Sequence, residues 1–242
     1  MSRSAFALVN LVLILGTFVL GMRAFLRRRP DLSAIKGSRV LGPAIRGWYF
    51  SNLDPFENLF VRLRLSPAVL SYGQLVASLA VGVAYATGFV FTAGFLVLFT
   101  GTLDILDGKV ARRSNGASSR GAFLDSVIDR YAEFCTTVGL LVFFGSGWQA
   151  WVVLFALLGG MMVSYTRARA EGLGLRCEIG LLQRPERFVL LGFGSIFSSI
   201  AAHGIGGLFA GQTLLLWTLV LLAVLSNVTA LQRARFVWGQ LR

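Results

Sequence analysis

The chain has 242 residues, of which 55% are hydrophobic and only 14% charged, and its mean hydropathy is +0.71. A soluble core of this size cannot bury that much apolar surface, so the composition excludes a water-soluble globular protein and makes lipid the solvent. The net charge of +12 could suit nucleic acid, but the basic residues flank apolar runs rather than forming a separate soluble patch, so topology and attraction to anionic lipid account for them.

Seven apolar stretches approach the ~20 residues that a bilayer core requires. They are residues 5–26, 68–86, 90–110, 122–144, 150–170, 188–202 and 212–230, the sixth being short. The first lacks a small-residue cleavage site and is followed by Arg27-Arg28-Arg29, so it reads as a retained anchor and not a signal peptide. In the segment after it, Asp54 has the character of an N-cap, Pro55 of a first-turn residue and Glu57 of the reciprocal capping-box partner. That pattern predicts a short helix over 55–64. Phe56, Leu59, Phe60 and Leu63 share one face of it, and with Trp48, Tyr49 and Phe50 just before, the segment suits the membrane interface, as a packing collar in preference to a lid or ramp for a lipid substrate.

The connections 87–89, 145–149 and 203–211 contain no Lys, Arg, Asp or Glu, whereas the others and the C-terminus hold nearly every basic residue. By the positive-inside rule the basic side is cytoplasmic and the N-terminus lies outside. Cys135 and Cys177 form neither a disulfide framework nor a zinc site, and His203 falls in an outer connection. Gly159-Gly160 and Gly192-x-Gly194 read as points of close helix packing.

The third and fourth spans carry the chemistry: Asp104-Ile-Leu-Asp107-Gly108-Lys-Val-Ala111-Arg112, eight residues, then Gly121-Ala-Phe-Leu-Asp125-Ser-Val-Ile-Asp129. An ionised carboxylate between apolar runs is costly and marks function. Asp104 and Asp107 are three apart, Asp125 and Asp129 four apart, so each pair projects from one helix face. Two such faces together make a cage of four carboxylates, which repel unless cations neutralise them. Hard oxygen ligands suit Mg²⁺, Mn²⁺ or Ca²⁺, with room for two ions. Gly108, Ala111 and Gly121 keep the surroundings free of bulk, and Arg112 is suited to grip a phosphate, which together suggest a diphosphate substrate. A divalent-cation transporter is the alternative of another class, although its path needs acids at successive depths and these cluster at one end of the spans.

The same pattern resembles the signature of the CDP-alcohol phosphotransferase family at every fixed position. The resemblance covers residues 65–235. It implies an all-α polytopic membrane enzyme with a six-helix core, to which this chain adds an N-terminal transmembrane helix and a juxtamembrane amphipathic segment. Residues 1–66 are then an anchor with an interfacial segment, and 67–242 the catalytic transmembrane domain. The implied reaction displaces CMP from a CDP-linked lipid with the hydroxyl of a soluble polar alcohol and depends on two Mg²⁺ or Mn²⁺ ions. Asp104, Asp107, Asp125 and Asp129 are then metal ligands, with Asp129 also the general base, and Gly108, Ala111, Arg112 and Gly121 lie along the CDP moiety. A homodimer is implied as well.

A second cluster, Tyr165-Thr-Arg167-Ala-Arg169-Ala-Glu171 and Gln183-Arg184-Pro185-Glu186-Arg187, falls on the cytoplasmic side of the fifth and sixth spans. It resembles the family branch that makes phosphatidylinositol phosphate from inositol phosphate. Several arginines at the acceptor side favour a phosphorylated alcohol, with Arg167, Arg184 and Arg187 as its anchors. Glycerol 3-phosphate, serine and unphosphorylated inositol remain as alternative acceptors.

Overall fold

The computed structural model describes residues 12, 16, 19–27, 42–114, 118–177, 179–204 and 207–241. Most of the expected anchor over 5–26 therefore lies outside the described residues, although 19–27 are helical. Seven helices follow: α1 (Pro43–Arg62), α2 (Pro67–Ala86), α3 (Val90–Arg113), α4 (Ser119–Phe144), α5 (Trp148–Gly172), α6 (Arg184–Gly204) and α7 (Gly207–Gln240). The described residues contain no strand, in keeping with the all-α fold that the family resemblance implies.

Helices α2 to α7 correspond one for one to the second to seventh apolar stretches, and they close into a ring. Helix α2 packs on α3 and α4, α3 on α6, α6 on α7, α7 on α5, and α5 back on α4. Proline in the first turn starts α2 behind Ser66, and the Ser118 hydroxyl caps α4 by accepting the Gly121 N–H at 3.1 Å. Gly145 ends α4 at φ 70°, a backbone conformation that a side chain would resist. Where α2 meets α4 the backbones touch: a Cβ on Gly82 would sit 2.5 Å from the Cys135 carbonyl oxygen, and one on Gly139 would strike Gly82 itself. Such close approach is how helices associate where lipid supplies no hydrophobic drive.

The interior core gathers Val81, Tyr85, Val97, Leu140, Val153, Leu215 and Leu219, with the Tyr85 hydroxyl bonded to Ser195 at 2.6 Å. Outward-facing Val76, Phe99, Val142 and Trp217 are exposed, as expected of a surface wetted by lipid. Among the described residues, four helices are long and apolar enough to cross a membrane: α2, α3, α5 and the Gly211–Gln240 part of α7. Helix α4 carries Arg120, Asp125, Asp129, Arg130 and Glu133 between its start and its middle turns, and α6 opens with Arg184, Glu186 and Arg187. Those charges lower the mean hydropathy of two helices that complete the ring.

The juxtamembrane segment differs from expectation. Its helix begins at Pro43, not Pro55, and Pro55 lies inside it. Asp54 and Glu57 are not a cap. Lys109 of α3 takes both, at 2.7 Å to Asp54 and 2.8 Å to Glu57, and Arg113 adds a contact to Glu57 at 3.3 Å. Proline's fixed φ suits the helix, and tertiary ion pairs outweigh the hydrogen bond its missing N–H forfeits. Leu53 is buried beneath, and Tyr49 bonds Thr102 at 2.5 Å. Phe56, Leu59 and Leu63 remain exposed on the expected interfacial face, whereas Phe60 turns inward.

Candidate active site

The cytoplasm-predicted ends of α3 and α4 bring the motif together. Carboxylate oxygens of Asp104, Asp125 and Asp129 lie within 4.8 Å of one another. Asp107 stands beside this group, 5% exposed, accepting the Ser71 hydroxyl at 3.0 Å. Oδ1 of Asp125 is buried with no hydrogen-bond partner. A partnerless anionic oxygen next to two more carboxylates is unfavourable by itself, and it is the donor set that a hard divalent cation fits.

Helix α6 delivers Arg184 onto the same carboxylates. Its guanidinium pairs with both oxygens of Asp129 through Nη1 and Nη2, and Nη1 lies 2.8 Å from Asp104 Oδ1. One turn further, Arg187 bonds Glu133 at 2.7 Å, and Arg130 reaches the other Glu133 oxygen at 3.3 Å. Gly160 of α5 leaves the space that this ion pair fills. Beneath Asp129 a cavity of about 90 Å³ runs into the ring, with Glu133, Arg184, Arg187, Ser78 and Thr100 in its polar wall and Leu140, Val153 and Leu219 in its apolar wall.

The expected acceptor arginines are thus divided. Arg184 and Arg187 line the cavity, while Arg167 is exposed and pairs with Glu171 at 2.8 Å on its own helix. On the other side Gly108 and Ala111 are half-buried, and the exposed Arg112 keeps its guanidinium beside Gly108. Gly121 opens α4 with its N–H turned to Ser118. Along the chain the four residues lie between the two aspartate pairs, on either side of the loop that joins α3 to α4.

Several supports were not singled out from the sequence. Gln74 of α2 donates to Asp129 Oδ1 at 3.1 Å. Thr229 and Arg233 of α7 hold the loop that leads into α6: the Thr229 hydroxyl accepts from Leu181 and Leu182 at 3.2 and 3.0 Å, and Arg233 donates to the Ile179 and Val163 carbonyls, both at 2.7 Å. Glu186 then accepts the Gln183 N–H at 2.7 Å, one half of a capping box at the start of α6. Polar positions at helical spacing within apolar runs, Ser71 to Gln74 and Asp129 to Glu133, were the available signal.

Six helices ring a carboxylate cluster and an arginine-walled cavity, the frame of a membrane-embedded metal-dependent site, and residues 64–231 match the sequence model of the CDP-alcohol phosphatidyltransferases. The chain belongs to that family and is an integral membrane enzyme of phospholipid synthesis. Among its relatives, the archaetidylinositol phosphate synthase of Methanothermobacter thermautotrophicus is 32% identical over 190 residues, 78% of this chain and 90% of that one. The phosphatidylinositol phosphate synthase of Mycobacteroides abscessus is 33% identical over 76% of this chain and 82% of its own. The crystal structure of the Mycobacterium tuberculosis phosphatidylinositol phosphate synthase with CDP-DAG bound superposes with a TM-score of 0.66 at 30% identity, covering 76% of this chain and 92% of that one. The same enzyme has been crystallised with manganese and citrate, where the TM-score is also 0.66 and the coverage 76% and 88%. Family membership leaves nothing for the transporter reading to explain.

Proposed function

We propose that this chain transfers the phosphatidyl group of a CDP-linked diacyl lipid to inositol phosphate and releases CMP. The observation that carries the acceptor is Arg184, seated on Asp104 and Asp129, with Arg187 behind it in the cavity wall. A phosphorylated alcohol entering there meets a fixed guanidinium beside the reacting centre, which a neutral alcohol would not need. The reported relatives are by name synthases of inositol phosphate lipids, which agrees with this reading.

Asp104, Asp107, Asp125 and Asp129 would hold two Mg²⁺ or Mn²⁺ ions. When bound, these supply Lewis-acid stabilisation of charge on the phosphate and the leaving CMP. Gly108, Ala111 and Gly121 admit the cytidine diphosphate close to the backbone, and Arg112 grips one of its phosphates. The acceptor oxygen attacks the lipid-bearing phosphorus, the bond to the CMP oxygen breaks, and Asp129 takes the hydroxyl proton. Arg184 orients the acceptor through its phosphate, so positioning supplies much of the rate. The carboxylate end faces the cytoplasm, where the soluble acceptor is found, and a homodimer is the working assembly. Residues 1–66 serve as anchor and collar, and 67–242 as the catalytic unit.

The test supplies purified protein with CDP-diacylglycerol and Mg²⁺ and measures CMP release with inositol phosphate, inositol, glycerol 3-phosphate and serine. Inositol phosphate is expected to be turned over at least tenfold faster than the rest. Equal use of uncharged inositol would overturn the acceptor assignment.

A further inference from the structure

Helix α2 contributes nothing to the signature motif, yet it buries three polar side chains on one face: Ser71, Gln74 and Ser78 are 3%, 0% and 1% exposed. They lie at i, i+3 and i+7 of an otherwise apolar membrane helix. Packing alone would be better served by alanine and leucine, because a buried polar atom without a partner is unfavourable in this setting. Gln74 shows that disadvantage directly, since its Oε1 is buried with no hydrogen-bond partner while its Nε2 donates to Asp129 Oδ1 at 3.1 Å. Ser71 stands in the same relation to Asp107, donating to Oδ2 at 3.0 Å in preference to the Pro67 carbonyl at 3.3 Å.

One helix thus bonds one carboxylate from each half of the motif, Asp107 on α3 and Asp129 on α4. We propose that Ser71 and Gln74 are a positioning pair that sets the two halves of the carboxylate cage against each other before substrate arrives. The proposal deepens the phosphotransferase reading and rests on it for the role of the cage. A carboxylate held by a donor from behind keeps one oxygen turned to the site and loses less order when a cation or substrate binds. Leucine at 74 keeps the volume and removes the donor.

The experiment compares wild type with Gln74→Leu, Ser71→Ala and Ser71→Thr, the last retaining the hydroxyl. Mn²⁺ binding is measured by electron paramagnetic resonance without substrates, CMP release gives kcat and KM, and melting is followed in detergent. Gln74→Leu is expected to melt at or above wild type, to lose roughly ten- to a hundredfold in kcat with the KM for CDP-lipid within about twofold, and to bind Mn²⁺ about tenfold more weakly. Ser71→Ala should weaken Mn²⁺ similarly and Ser71→Thr restore it. Unchanged Mn²⁺ affinity and kcat in both Gln74→Leu and Ser71→Ala would overturn the proposal, as would lower melting as their sole effect. A wild type that binds Mn²⁺, loses it in Gln74→Leu and releases no CMP would uphold the positioning pair and overturn the proposed function.

Discussion

Replacing Lys109 by Met should loosen α1 on the ring without melting the ring. Lys109 is the cation shared by Asp54 and Glu57, whose side chains are 56% and 10% exposed. The exposed Asp54 contact is worth little. Glu57 is different, because stripping a mostly buried carboxylate of its partner costs ~3 to 5 kcal/mol. Arg113 at 3.3 Å remains to offset part of it, leaving a loss of about 2 to 3 kcal/mol. What otherwise holds α1 to the ring is the burial of Leu53, about 2 kcal/mol, the Tyr49–Thr102 hydrogen bond, about 1 kcal/mol, and the partial burial of Tyr49, Phe60 and Val61 beside Leu53. The loss is a large part of that total, so α1 should stay docked on average but detach far more often. Hydrogen exchange of amides 50–60 should quicken roughly thirty- to a hundredfold while those of α3 and α4 are unchanged. Adding Glu57→Gln should recover much of the protection, since an amide needs no cation. Exchange in α1 that matched wild type would refute the clamp. Acid gives a second readout. Burial pushes the Glu57 carboxyl up, but the hydrogen bonds and charges of Lys109 and Arg113 outweigh it and hold the group below its ordinary value. A depressed folded value means stability that is complete above the unfolded carboxylate pKa of ~4.3 and lost as pH falls through the folded one. Protection of α1 should therefore be level from pH 7 to about 5 and fall only below about 4.

Asp104→Asn or Asp125→Asn should reduce CMP release below detection while membrane insertion is kept, and near-normal turnover by either at ordinary Mg²⁺ would contradict the metal cage. Arg184→Ala should raise the KM for inositol phosphate roughly ten- to a hundredfold and leave that for CDP-lipid nearly unchanged, with Arg112→Ala showing the reverse contrast in the same assay. Reporters fused after Arg242 and inserted at 113–120 should both map to the cytoplasm and one at 203–211 to the opposite side, and any other pattern would reverse the assigned orientation.

The ring helices were legible because apolar length is a local property, and the carboxylates because charge between apolar runs is conspicuous. Partnership was not. Asp54-Pro55-x-Glu57 carries the pattern of a helix start, but its carboxylates answer to Lys109, 55 residues from Asp54. The reach of Arg184 to Asp104 and Asp129 depends on how α6 crosses α3, which no spacing within either helix encodes. Ser71 and Gln74 were passed over, because a polar residue in an apolar run gains a role only once the face that α2 turns inward is known. Helix α7 continues to Gln240, ten residues past the apolar stretch that ends at 230, because hydropathy marks the edge of the bilayer and not of the helix.

The backbone contact between Gly82 and Gly139 makes a fulcrum. Helices held that tightly at one point separate by tilting about it, and Asp129 stands ten residues from Gly139, roughly 15 Å along α4. A tilt of about 5° would therefore swing Asp129 by roughly 1.3 Å, while the glycine contact itself hardly moves. A side chain that wedged this contact apart, as in Gly139→Ala, would therefore act on the carboxylates with the leverage of that arm, and the Gln74–Asp129 hydrogen bond between the same two helices would be the first to stretch.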